Sequence, residues 1–204
     1  MLIPKERSWR ADSWPASASA ASRTRRPLGS GAAFSRSPIR TETRWCSSVS
    51  EFADDQGAPV TATISLGADI AHPVSAVWTA FADTDQRVQW GVPEGEEMVC
   101  DIDEFRPGGS IRARCGAPGA LEFASTGQYC ALMPERHIVT TETLTKADEI
   151  LSTAIITWTL TATSTGTRVE LVDQVVSFVG QGMIDGHRNG HDICLRQLGA
   201  FLSS

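Results

Sequence analysis

The spacing of apolar positions changes repeatedly along this chain, and each change marks an element. Val60–Ile70 reads Val-Thr-Ala-Thr-Ile-Ser-Leu-Gly-Ala-Asp-Ile, a loose alternation that suits a strand with one buried face. His72-Pro73 ends it. Pro73 suits the start of a helix, and Val74, Val77, Trp78 and Phe81 then fall at helical spacing. Asp83-Thr84-Asp85 predicts the start of a second short helix that ends near Trp90-Gly91. Met98–Phe105 and Ser110–Cys115 flank Pro107-Gly108-Gly109, a turn whose glycines accept positive φ, so the two segments should pair as an antiparallel hairpin. Glu122–Leu132, Arg136–Leu144, Leu151–Ala162 and Thr167–Phe178 complete the strand set. Leu151–Ala162 is dense in β-branched residues, which crowd a helix but fit a pleat. From about Gly180 the period lengthens, and Ile184, His187, His191, Cys194, Leu198 and Phe201 recur as the inner face of a long helix.

This order predicts an α+β architecture, an antiparallel sheet of about seven strands with segregated helices and the last helix as its cover. Composition sets the boundary of that domain. The segment Met1–Ser50 carries Arg7, Arg10, Arg23, Arg25, Arg26, Arg36, Arg40 and Arg44 against Glu6, Asp12 and Glu42, with much Ser and Ala and no apolar period. Such a segment buries too little to offset an ordering cost of roughly 1–2 kcal/mol per residue. Residues 1–55 are therefore expected to form a disordered basic extension, and residues 56–204 the folded domain. An Arg-rich, Ser-rich, acid-poor N-terminus also fits an organelle transit peptide.

The chain carries a net charge of −6, and with the extension basic the folded part is acidic, which argues against nucleic acid as a partner. No apolar run reaches the length of a membrane span. The cysteines, Cys46, Cys100, Cys115, Cys130 and Cys194, number 5, an odd count with no C-x-x-C pair, as expected of reduced thiols in the cytoplasm. No nucleotide-binding or nucleophile motif occurs, so no cofactor is predicted.

His187 and His191 stand four apart on the face shared by Ile184 and Cys194, which turns two imidazoles and a thiol in one direction. No spacing fixes a third ligand beside them, so no metal site is predicted. Asp173 follows Leu171 and Val169 at even spacing, and strict alternation would turn it to their apolar face. A bulge turning it outward is the alternative. An inward Asp173 would need Arg112, Arg114, a histidine or a ligand as partner. Glu142 poses the same question beside Ile138 and Leu144. Arg112 and Arg114 share one face of their strand and are expected outward, because Ile111, Ala113 and Cys115 make an adequate inner face.

Taken together, Ala71-His72-Pro73-Val74-Ser75-Ala76-Val77-Trp78, Phe105-Arg106-Pro107-Gly108-Gly109, Gly127-Gln128-Tyr129, Gly166-Thr167-Arg168-Val169 and the helix from Gly190-His191 to Leu198 resemble the START-like SRPBCC superfamily. Within it they are similar to the group of the C-terminal domain of the activator of heat-shock protein 90 ATPase. The resemblance spans Val60 to Leu202. It implies a helix-grip fold, in which a curved sheet wraps the last helix around a cavity for small apolar or aromatic molecules. Many relatives carry Trp after the glycine of that helix, where this chain has His191, which implies a more polar cavity floor. The chain lacks length for the co-chaperone's additional N-terminal domain.

The expected function is thus the binding of a small apolar or aromatic molecule, with Trp90, Tyr129, Trp158, His187 and His191 as ligand-binding residues. Trp90 is expected at the pocket mouth, and the Tyr129 hydroxyl could orient a carbonyl or simply pack under the hairpin. Trp78, Phe105, Phe123 and Phe178 add apolar surface. Two alternatives stand beside this reading. One is a cyclase-like or hydrolase-like enzyme using a histidine and an arginine or tyrosine. The other is a chaperone-associated regulatory module.

Overall fold

The computed structural model describes residues 58–204. The readings of the basic N-terminal segment lie outside these residues. Strand β1 (Val60–Ile70) is followed by helices α1 (Val74–Ala82) and α2 (Thr84–Trp90). Six further strands come next: β2 (Glu97–Asp103), β3 (Ser110–Ala117), β4 (Ala120–Met133), β5 (His137–Lys146), β6 (Glu149–Thr163) and β7 (Gly166–Ser177). Helix α3 (Gln181–Leu202) ends the chain. The strands form one antiparallel sheet in the order β1-β7-β6-β5-β4-β3-β2. The α1–α2 segment therefore links the two edge strands. Together with α3 it closes the inner face, which gives the α+β helix-grip arrangement.

Local chemistry accounts for the boundaries. Asp83 caps α2, its Oδ1 accepting from the backbone N–H of Asp85 at 2.9 Å and of Gln86 at 3.3 Å. The Pro107 turn joins β2 to β3 as the spacing predicts. Gly108 has φ 75°, and a Cβ on Gly109 would lie 1.9 Å from the Glu104 carbonyl oxygen, so the turn depends on both glycines. The turn is also tied to β4: Gly108 N–H donates to Tyr129 O at 2.7 Å, and Tyr129 N–H to Gly109 O at 2.9 Å.

Register shifts between Cys100 and Ile102, Cys115 and Ala117, Tyr129 and Ala131, and Leu144 and Thr145 bend the sheet. Gly127 permits close approach of β4 to β5, since a Cβ there would meet Thr141 O at 1.9 Å. On β7, by contrast, the alternation is unbroken: Val169, Leu171, Asp173, Val175 and Ser177 are all buried.

Apolar clusters occupy the inner face at both ends of the concavity. One gathers Val77, Phe81, Trp90, Tyr129, Leu195 and Leu198. Another gathers Phe123, Leu144, Leu151 and Met183. A third, of Ile64, Ile156, Leu171 and Ile184, backs them along β1, β6 and β7. Full burial of one such side chain stabilises by about 1.5–3 kcal/mol, so these clusters hold α3 on the sheet. Phe178 departs from expectation: it lies just past β7 and is 44 % exposed.

Candidate functional site

Between the sheet and the helices lies a cavity of about 210 Å³. Its wall is mostly apolar, and it includes all of Trp90, Tyr129, Trp158, His187 and His191. The aromatic part is a chain of edge-on rings, with Phe81 set 4.9 Å from Trp90 and 5.0 Å from Trp158. Trp90 is only 3 % exposed and its indole N–H donates to Ala80 O at 3.2 Å, so it is part of the wall and not of an open rim. The loop after α2 is pinned to α3. Gln197 Nε2 donates to Val92 O at 2.6 Å, and the Cys194 thiol to Gly91 O at 3.2 Å. Burial pushes the Cys194 thiol up to about 12, so it is a neutral hydrogen-bond donor.

Two polar clusters interrupt this wall. The first is built from β6, β7 and α3. Unbroken alternation carries Asp173 inward, with 0 % exposure, and the helical spacing of four sets His187 and His191 over it. His187 Nδ1 donates to Asp173 Oδ2 at 2.8 Å, and His191 Nε2 donates to the same oxygen at 3.0 Å. The other carboxylate oxygen, Oδ1, is buried without a hydrogen-bond partner. On its far side His187 Nε2 is bonded to Ser152 Oγ at 2.9 Å. Burial alone would raise the Asp173 pKa, but the bonds from His187 and His191 outweigh it and hold the carboxyl at about 2. Burial likewise works against a charged His187. Its bond to Asp173 and the charge of Glu142 prevail, and its pKa is raised.

Of the two facings open to Asp173, the inward one is realised, and histidines are the partners. The bulge that would have turned it out does not form. The sequence predicts no metal site because no spacing fixes a third ligand beside the two histidines; the fold brings Asp173 to them, and Asp173, His187 and His191 offer ligand atoms all within 4.8 Å of one another. Glu142 also faces inward. It lines the cavity and accepts from Ser125 Oγ at 3.1 Å.

The second cluster joins α2, β2 and β4. Asp103 accepts from the Tyr129 hydroxyl at 2.6 Å, from Thr84 Oγ1 and from Arg87 Nη2. Burial opposes its ionisation, and these donors outweigh it, so Asp103 is held below the usual carboxylate range. Burial, followed by the bond to Asp103, raises the Tyr129 pKa despite nearby Arg87. The Tyr129 proton is thus directed to Asp103 and not into the cavity, unlike the first role expected of it, orienting a ligand carbonyl. Its second role, packing under the hairpin, is realised through the Gly108 and Gly109 bonds and a ring contact to Phe105 at 4.9 Å.

Sequence reasoning missed Arg87, Asp103 and Ser152. Cys100 lines the cavity, so plain alternation would put Ile102 inward; the bulge reverses this, leaving Ile102 39 % exposed and the Asp103 side chain 6 % exposed. Arg112 and Arg114 face outward as expected, and Arg114 makes a two-pronged pair with Asp101 at 2.7 and 2.8 Å.

A curved antiparallel sheet gripping a long C-terminal helix around an aromatic cavity defines the helix-grip class. The family described as Activator of Hsp90 ATPase homolog 1-like protein matches residues 71–203, and the chain belongs to it. Membership makes this a ligand-binding or regulatory domain in the broad sense. Solved structures repeat the fold. A protein from Rhizobium leguminosarum is 23 % identical with a TM-score of 0.64, over 72 % of this chain and 97 % of that one. One from Chromobacterium violaceum is 26 % identical with a TM-score of 0.63, over 70 % and 97 %. One from Mycobacterium smegmatis is 21 % identical with a TM-score of 0.57, over 68 % and 88 %. No curated protein matches the chain. Among the described residues no helix is long and apolar enough to cross a membrane.

Proposed function

We propose that this protein binds a small, largely apolar molecule, aromatic in part, in the cavity between the sheet and α3. The observation that carries this reading is the cavity itself: about 210 Å³ of space walled by Phe81, Trp90, Trp158, Ile111 and Ile156. A dry apolar cavity of ~150 Å³ accepts a benzene, so this one suits a molecule somewhat larger than a single ring. The polar groups at the wall, His191 and Glu142 above all, fix its orientation. Among the described residues Cys100, Cys130 and Cys194 are free thiols, in keeping with a cytoplasmic protein.

Screening a library of apolar and aromatic compounds by thermal shift tests the reading. Saturable binding at 100 times Kd stabilises by about 2.7 kcal/mol, on the order of 5–10 °C for a domain of this size. Trp158→Ala should abolish the shift, since it removes a half-buried ring from the wall. A library without a saturable hit overturns the reading.

A second reading makes the site catalytic, with His191 as proton carrier, because this ring borders the cavity while Asp173 anchors it. His187 is the weaker choice, since both its ring nitrogens are engaged. Turnover that survives His191→Gln would reject that role. The chaperone-associated reading rests on the family alone. Failure of the folded protein to retain heat-shock protein 90 in a pull-down counts against it.

A further inference from the structure

We infer that Asp173, His187 and His191 form a binding site for a divalent first-row transition-metal ion, with an open coordination position toward the cavity. Two imidazole nitrogens converge on one carboxylate oxygen, at 2.8 and 3.0 Å, and all the donor atoms lie within 4.8 Å of one another. Two bridging protons hold this arrangement together. Ligands held ~2.0–2.2 Å from a tetrahedral ion stand ~3.3–3.6 Å apart, so an ion that takes their place needs each imidazole nitrogen to move about half an ångström off the carboxylate oxygen.

Three further features point the same way. Asp173 Oδ1 is buried without a partner, an arrangement that wastes the second acceptor of a fully buried carboxylate unless a cation shares it. Ser152 Oγ lies 2.9 Å from His187 Nε2, on the side away from Asp173. With the Nε2 proton donated to that hydroxyl, the Nδ1 lone pair is presented to the ion, which is the usual outer support of a metal-bound histidine. Finally, His187 and His191 line the cavity whereas Asp173 and Ser152 do not, so the face left open by three protein ligands is the one a small molecule would meet. Two histidines and a carboxylate with open positions suit zinc, cobalt and ferrous iron, and do not suit calcium or magnesium, which prefer an all-oxygen shell. On binding, a neutral imidazole moves its proton to the ring nitrogen away from the ion, and an imidazolium gives up one proton to solvent.

This inference stands apart from the ligand reading, because its test uses the ion alone. Full-length protein freed of metal with a chelator is titrated with Co²⁺ and followed by its visible absorption. One equivalent should saturate a ligand-field band, and Zn²⁺ should displace it. His191→Ala, at a half-buried position, should weaken Co²⁺ binding by more than the ~10–100-fold that loss of an outer partner costs, and Ser152→Ala by about 10-fold. His137→Ala, outside the cluster, should change nothing. Near-ultraviolet circular dichroism checks that each variant is folded. Should His191→Ala fail that check, His191→Gln takes its place. Absence of a saturating band overturns the inference. So does a band that persists in the His191 variant, or an intense sulfur-to-cobalt transition, which would assign the ion to the cavity thiols.

Discussion

Two carboxylates with buried side chains, Asp103 and Asp173, lie behind the cavity wall on different strands and are solvated by the protein in opposite ways. Asp103 is shared among Thr84, Arg87 and Tyr129, so a permanent cation neutralises it and both its oxygens are used. Asp173 has only titratable partners, both on one oxygen, with the other oxygen orphaned. A satisfied, neutral network fixes geometry, and here it ties α2, β2 and β4 together. A half-satisfied one has its coordination incomplete and its charge dependent on pH. That difference suits the Asp103 cluster to scaffolding and leaves the Asp173 cluster as the one with unused coordination, on which the metal inference rests.

The largest effect that would break this comparison comes from removing each charge in turn, in metal-free protein. Asp173→Ala strands two imidazoles in a site that is 0–1 % exposed at Asp173 and His187, and should cost on the order of 3–5 kcal/mol by urea unfolding. Asp103→Ala should cost less, roughly 2–3 kcal/mol, because the Arg87 side chain is 16 % exposed and also donates to Phe81 O. Equal losses would erase the distinction.

The pH dependence sharpens it. The Asp173 pKa is depressed to about 2, so its contribution is complete above the usual aspartate value of 3.8 and is lost as pH falls toward 2. His187 is raised above 6.5, so its contribution is complete below that value and is lost as pH rises through the folded-state pKa. The Asp173 cluster should therefore stabilise most between about pH 4 and 6.5. Asp103 is also depressed and loses its contribution in acid, but Arg87 is raised above its ordinary, already strongly basic value, so that pair keeps its strength in mild alkali. Urea unfolding of chelator-treated protein at pH 5.5 and about pH 8.5 should show the gap between wild type and Asp173→Ala narrowing at the higher pH. The gap for Asp103→Ala should stay constant.

Why one cluster was legible in the sequence and the other was not follows from strand phase. On β7 the two-residue period runs unbroken from Val169 to Ser177, so the inward facing of Asp173 could be read as one of two options, and the spacing of His187 and His191 on a helix placed them together. What the sequence did not reveal was that these two faces oppose each other, because that depends on how α3 lies across β7. On β2 the bulge after Cys100 exchanges the faces of Ile102 and Asp103. No residue type in Cys100-Asp101-Ile102-Asp103 announces that bulge, so the acidic residue that matters was hidden behind an isoleucine that does not. The turn at Gly108-Gly109, the strand order and the long helix were legible because each rests on local chemistry: positive φ, β-branched runs and a period of three and four.

The smallest of these effects is Tyr129→Phe, and it bears most directly on the claim that the Asp103 cluster is scaffold. The substitution keeps the ring contact with Phe105 and the backbone bonds to Gly108 and Gly109, and deletes only the donor at 2.6 Å from Asp103. Asp103 retains Thr84 and Arg87, so the loss should be about 1 kcal/mol, the net worth of one buried hydrogen bond. Affinity for any cavity ligand should be little changed, because the phenol proton was already committed within the protein. If Tyr129→Phe instead left stability intact and lost ligand affinity 10-fold or more, ~1.4 kcal/mol of binding, the hydroxyl would be a recognition group after all. The two clusters would then share the chemistry of the site.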